Sequence, residues 1–264
     1  MHKALIYIIH IMATVFGSLA IIFAVASWRL SSGPISIAFF SPYLEEAFEA
    51  EDLGYRLEFE DTILTWSGWN RTLDILVTNA HAVGPDGKTL ATVPEISLGL
   101  SAFALLRGNL KPTSIELMRP RIHLVRNPAG RLEFAFGAEF EEPDETVNAL
   151  VGDFLAAHST DHSLGELKRI SILAAALDVD DEMLGLSWRS SEADLIFNLT
   201  DQRIDGDLLA EIEVGDVDFK VVAATAFERD GGQVRTKLRI GEVAPARLAA
   251  ISPKLAAFAG LDLP

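Results

Sequence analysis

From Tyr55 onward, apolar and polar positions alternate with a period of two. Tyr55, Leu57 and Phe59 alternate with Arg56, Glu58 and Glu60. Leu73, Ile75 and Val77 alternate with Asp74, Leu76 and Thr78, where Leu76 breaks the rule. The spacing returns at Ile96, Leu98 and Leu100, at Ile115 and Leu117, and at Ile122 and Leu124. Turn signals separate the runs at Ser67-Gly68, Gly84-Pro85-Asp86-Gly87 and Asn127-Pro128-Ala129-Gly130. Short alternating runs between such turns predict an antiparallel meander with one apolar face. A second set begins near Leu167 and includes Leu195, Phe197 and Leu199, then Leu208, Ala210, Ile212 and Val214, then Val234, Leu238 and Ile240. Its turns fall at Asp180-Asp181-Glu182, Asp201-Gln202-Arg203 and Asp230-Gly231-Gly232.

Helical signals are fewer. Ser41-Pro42 supplies an N-cap and a first-turn proline for a helix running to about Gly54, with Tyr43, Leu44, Ala47 and Phe48 as its apolar stripe. A brief helical piece spans Ser101 to Arg107. Another, Val147 to Ala157, follows an acidic cluster of Glu139, Glu141, Glu142, Asp144 and Glu145, and Pro245 opens a last one. These signals divide the chain into a first segment 1–30, a first β module 31–138, an acidic and helical insertion 139–165, and a second β module 166–264. The expected class is mainly β with few short helices, in antiparallel, curved sheet modules. The chain stops on Leu261-Asp262-Leu263-Pro264 without a polar cap and reads as the front part of something longer.

The first segment has a different character. No charged residue occurs from Ala4 to Ser27. As a helix at 1.5 Å per residue that run spans about 36 Å, enough for a hydrocarbon core of roughly 30 Å. Trp28 and Arg29 follow as an interfacial aromatic and a snorkelling cation would, and Lys3 with the terminal amine precedes the run. This predicts a single-pass anchor with a cytoplasmic N-terminus and everything after Arg29 translocated. A cleaved signal peptide is the rival, because Ala24-Val25-Ala26 offers an A-x-A site, but the apolar stretch is longer than a usual signal core. His10, inside the run, reads as a helix contact rather than a proton relay.

Composition narrows the chemistry. The 264-residue chain carries a formal charge of −16, which argues against nucleic acid and against a basic patch on an anionic membrane. It has no cysteine, hence no disulfide, thiolate metal site or thiol nucleophile. His158 and His162 stand four apart, but the glutamate of a metalloprotease helix is missing, so a solvated loop is the simpler reading. Gly84 to Thr89 resembles the tail of a phosphate-binding loop, yet its first glycine would fall on Ala82; a β-turn fits better. Asp178, Asp180, Asp181 and Glu182 lack the spacing of a calcium loop and read as an acidic hairpin end. No nucleophile elbow or paired carboxylate set stands out, and neither an enzyme nor a cofactor is expected.

An apolar sheet face has to be covered. The predicted helices are too small to cover two sheets, so either the modules close as a sandwich or they form a curved trough whose lining meets a ligand. Alternation alone leaves both open.

Leu105-Leu106-Arg107-Gly108-Asn109-Leu110 through Ile115-Glu116-Leu117, continued by Pro120-Arg121-Ile122-His123-Leu124-Val125-Arg126-Asn127 and Gly130, resembles a segment of the AsmA-like family, particularly its YhdP-like branch. There a short helix, an R-G-x-L turn and an I-x-L-x-x-P-x-I strand pair follow one another. The Ser41-Pro42-Tyr43-Leu44 helix and the Pro245-Ala246-Arg247-Leu248 element stand in the expected order. The resemblance implies an anchor in the inner membrane of a Gram-negative bacterium and a periplasmic body whose sheets curl into a groove for phospholipid bound for the outer membrane. It carries no catalytic motif, and the acidic insertion departs from it. The expected groove residues are Leu57, Phe59, Leu73, Ile75, Ile96, Leu98, Ile122, Leu124, Leu195, Phe197, Ile212 and Leu238. Partners would be phospholipid acyl chains and the inner membrane, with an unidentified envelope protein possible; an anchored scaffold with a closed sandwich is the alternative.

Overall fold

The computed structural model describes residues 2–31, 35–37, 56–66, 73–84, 87, 89–100, 112–136, 167–229, 231–241, 243, 247, 249 and 251–260. The helices expected at 41–54, 101–107 and 147–157, the acidic cluster, His158, His162 and the end at 261–264 lie outside them.

A helix, α1, runs His2–Ser31 without a break. Its described side chains, among them Met12, Phe16, Leu19, Ile21, Val25 and Trp28, are exposed. Contact with the sheet is slight and falls on one early strand. Among the described residues, no helix is long and apolar enough to cross a membrane.

Thirteen strands form one sheet: β1 (Ile35–Ser36), β2 (Arg56–Glu58), β3 (Asp61–Trp66), β4 (Leu73–Val83), β5 (Thr89–Leu100), β6 (Pro112–Met118), β7 (Arg121–Arg126), β8 (Leu132–Phe136), β9 (Arg169–Asp181), β10 (Leu186–Leu199), β11 (Arg203–Val214), β12 (Val217–Glu228) and β13 (Gln233–Ile240). The main path runs β1-β3-β4-β5-β6-β9-β10-β11-β12-β13, and its two ends do not pair, so the sheet is not closed. All pairings are antiparallel except β6–β9 and β7–β9, which are parallel and join the strands on either side of 137–166 into one sheet. The described strands make a single curved sheet that does not close.

The hairpin turns fall where glycine and asparagine place them. Gly87 has φ +80° and donates its N–H to the Gly84 carbonyl at 3.0 Å. Gly130 has φ +81° and bonds Asn127 O at 2.9 Å. Both conformations suit glycine because no Cβ meets the following carbonyl.

A line of irregularities crosses the strands and bends them. Asn79, Arg119 and Ala174 have φ of 47°, 52° and 51°, a region that costs a residue with a Cβ roughly 1–2 kcal/mol. Each is held by a specific partner. Asn79 Nδ2 donates to Glu60 Oε2; Arg119 N–H donates to Leu173 O (2.8 Å); Ala174 N–H donates to Asp194 Oδ1 (2.9 Å). The β10 register slips on the same line, between Ser190 and Ala193. Bulges sharpen local twist and bend a strand, and aligned across neighbours they curve the sheet.

The sheet also forks on this line. The β5–β6 ladder ends at Glu95↔Met118, next to Pro94, which has no N–H to extend it. Arg119 spans the fork to reach Glu95. Beyond it β6 continues as β7 along β9, while β8 pairs with β7 and lies beside β5 with no ladder between them. One side of the bend thus carries an extra strand between β5 and β7.

Candidate functional site

Cross-strand pairing fixes which residues share a face, since paired positions project to the same side. One row reads Thr62↔Val77↔Ile96↔Leu117↔Ile172↔Leu195↔Leu208↔Ala223↔Leu238 across nine strands. The adjacent row reads Leu64↔Ile75↔Leu98↔Ile115↔Ile170↔Phe197↔Gly206. Gly206 leaves room for the Phe197 ring, which lies 3.2 Å from where a Cβ would stand. A third row closes the far end: Leu199↔Ile204↔Phe227↔Val234.

Every expected groove residue falls on this face. Leu73, Ile75, Ile96, Leu98, Leu195, Phe197 and Leu238 hold positions in these rows or beside them. Leu57 pairs with Ala82, and Phe59 packs on the Ile75–Val77–Ala80–Leu100 cluster. Beyond the bend, Ile122 joins Ala175, Ala193, Ala210 and Ile212 in one cluster, with Phe134 and Trp188 against it. Leu124 pairs with Val179 and Phe134. Leu117, Leu208 and Ile240, read as alternating positions but not among the expected groove residues, belong to the same face, as does Ile172, which the alternation did not mark.

Among the described elements, none packs across this face. Ile96, Leu98, Leu195 and Phe197 are half-buried, and Val234, Leu238 and Ile240 are exposed on the last strand. The opposite face is largely polar, as in Glu116↔Ser171 and Asp205↔Ala226↔Arg235. Leu76, the residue that broke the alternation, pairs there with Ile63.

The polar face holds a cleft between the ends of β7 and β9–β12, lined by His123, Asp178, Asp180, Ser187, Arg189 and Glu213. Ser187 Oγ donates to Asp180 Oδ1 (2.5 Å) and His123 Nε2–H donates to Asp180 Oδ2 (2.8 Å). These bonds, Ser187 first and His123 second, hold the Asp180 carboxyl below the usual carboxylate range against a smaller upward push from burial. The carboxylate stands between hydroxyl and imidazole, so Ser187 faces a very weak base and the trio lacks the order of a nucleophilic triad. Asp181, expected at an exposed hairpin end, is buried: it accepts from Arg126 (2.5 Å) and from the Leu184 N–H (2.8 Å), capping the turn. No group of three or more metal-ligating side chains occurs among the described residues.

The C-terminal segment docks on the loops at the same end. Arg247 bonds both the carbonyl and the carboxylate of Asp216 at 2.8 Å, and Ser252 Oγ donates to Leu184 O at 2.6 Å. The Arg247 guanidinium holds the exposed Asp216 carboxyl below its ordinary range.

Against known proteins, the chain matches no family model, no curated protein and no solved structure.

Proposed function

We propose that this chain is a membrane-anchored periplasmic protein whose curved sheet forms the start of an apolar groove for phospholipid moving between inner and outer membranes. The observation that carries the reading is the row from Val77 to Leu238, apolar across successive strands on a face that no described element covers. The row passes from buried Val77 through half-buried residues to exposed Leu238; an apolar strip that emerges into solvent calls for an apolar occupant, and acyl chains fit a one-sided trough with headgroups at its wet rim. The anchor rests on α1: its described apolar side chains are exposed, and its sequence has no charge from Ala4 to Ser27. The AsmA-like resemblance supports the same assignment, with shielding rather than covalent chemistry as the mechanism.

Native mass spectrometry with lipid extraction on the full chain, purified from bacterial membranes in detergent, tests this. Phospholipid should co-purify and be lost on Phe197→Asp or Leu238→Asp, because a carboxylate in an apolar strip is costly to desolvate. A wild-type chain that is lipid-free would sink the reading. One feature favours a second reading, an anchored scaffold holding a protein partner: among the described strands, none pairs with the outer edge of β13, all eight residues of which are exposed. A lipid-free chain that captures a partner lost on Thr236→Pro would select it.

A further inference from the structure

The end of the groove beside Phe227 carries a charged group that the apolar lining does not account for. Past β12 the ladder continues for one more step, the Arg229 N–H donating to Gln202 O at 3.0 Å next to the pair Arg203↔Glu228. Alternation along the strand therefore puts Arg229 on the side of Phe227, in the row next to Leu199, Ile204 and Val234. Arg229 as a whole is half-buried, but its Nε and Nη2 atoms are buried and, among the described residues, have no hydrogen-bond partner.

Burying two guanidinium donors without acceptors is expensive. Scarcity of carboxylates does not explain it, for the chain has 38 acidic residues against 22 basic ones. Other arginines find carboxylates: Arg119 pairs with Glu95, Arg126 with Asp181, Arg203 with Asp205 and Arg247 with Asp216. Nε and Nη2 are adjacent donors on one edge of the planar fork, the edge that grips two oxygens of a phosphate or carboxylate side by side.

We propose, resting on the groove reading, that Arg229 seats the phosphate of a phospholipid headgroup at this end of the groove while the acyl chains lie on the apolar rows. The guanidinium then gains the anion the protein withholds, and the headgroup is fixed at one end of the strip. The same chemistry would suit a free phosphate, so the test separates the two.

The full chain in detergent is presented with phosphatidylglycerol, with diacylglycerol of the same acyl chains, and with glycerol phosphate, and bound species are read by native mass spectrometry beside the thermal unfolding midpoint. Wild type should retain phosphatidylglycerol about tenfold better than diacylglycerol, the size of one or two charge-assisted hydrogen bonds. Arg229→Met should abolish that preference, keep diacylglycerol bound, and unfold no earlier than wild type, since it removes two buried donors that lack acceptors. Arg229→Gln serves as a second variant with the same expected loss. Equal retention of both lipids by wild type and variant overturns the seat and leaves the groove standing. Retention of neither lipid overturns the groove, and the seat with it. Stabilisation by glycerol phosphate without preference for the phospholipid makes Arg229 a free-phosphate site and overturns the headgroup assignment.

Discussion

In β4, Ile75 and Val77 are 3% and 1% exposed, whereas Val234 and Leu238 of β13, on the same face of the same sheet, are 64% and 59% exposed. Both strands alternate apolar with polar residues. They differ in their surroundings: β4 has β2 and β3 on one edge and β5 on the other, and Phe59, Leu64, Ile96 and Leu98 pack on its cluster. Among the described strands, the last one has β12 alone. Alternation thus assigns the face, and neighbours on both edges, with curvature, decide how far that face is withdrawn from water. One flank holds the fold together while the other displays the same chemistry.

The sharpest way to break this contrast is to put the same charge in both flanks. Val77→Asp buries a carboxylate among aliphatic groups and should cost about 4 kcal/mol or prevent folding, read by urea unfolding. If it cost under 1 kcal/mol, the β4 flank would not be a core. A smaller effect, about 1–3 kcal/mol, is expected for Gly99→Ala, whose Cβ would stand 2.2 Å from Ser114 Oγ and 3.3 Å from Asp74 Oδ1. Adding Ser114→Ala should restore most of that loss in a double-mutant cycle, and no recovery would mean the strain lies in the backbone.

Asp180 lies between these extremes. Its carboxyl pKa is lowered by Ser187 and His123, so the bonds stabilise the fold above the unfolded-state value of about 3.9 and are lost as pH falls through the lower folded value. Asp180→Asn should therefore be less stable than wild type at neutral pH, by under about 1 kcal/mol because the group is solvent-screened, and the gap should close in acid. A gap that widened in acid would reverse the assignment. Smallest of all, Leu238→Asp should shift stability by no more than about 0.5 kcal/mol while removing bound lipid. A large stability loss there would show that β13 is covered.

Much of the apolar face was legible because period two is a local property: within each strand, alternation sorted residues such as Leu73, Ile75 and Val77 from Asp74 and Thr78. β3 was missed because Ile63 and Leu64 adjoin, and β12 because Val221 to Ala224 reads as an unbroken small apolar run. β8 has only five residues. The parallel pairings β6–β9 and β7–β9 are non-local, spanning residues 137–166, and no short-range pattern encodes them. Nor did the bend line announce itself, since Asn79, Arg119 and Ala174 carry no glycine where glycine would mark a left-handed backbone. Arg229 could have been found by carrying the alternation one step past Phe227, where a lone cation enters an otherwise apolar series.

The strand inserted at the fork has a consequence for self-association. With β8 wedged between β5 and β7, the sheet is wider on one side of the bend than on the other by one strand spacing, about 4.8 Å. Copies joined edge to edge would splay instead of stacking in the flat, in-register array that a fibril needs. At the open edge, two antiparallel β13 strands would also bring Arg235, Lys237 and Arg239 of one copy against those of the next. Both features oppose polymerisation through the strand at the margin.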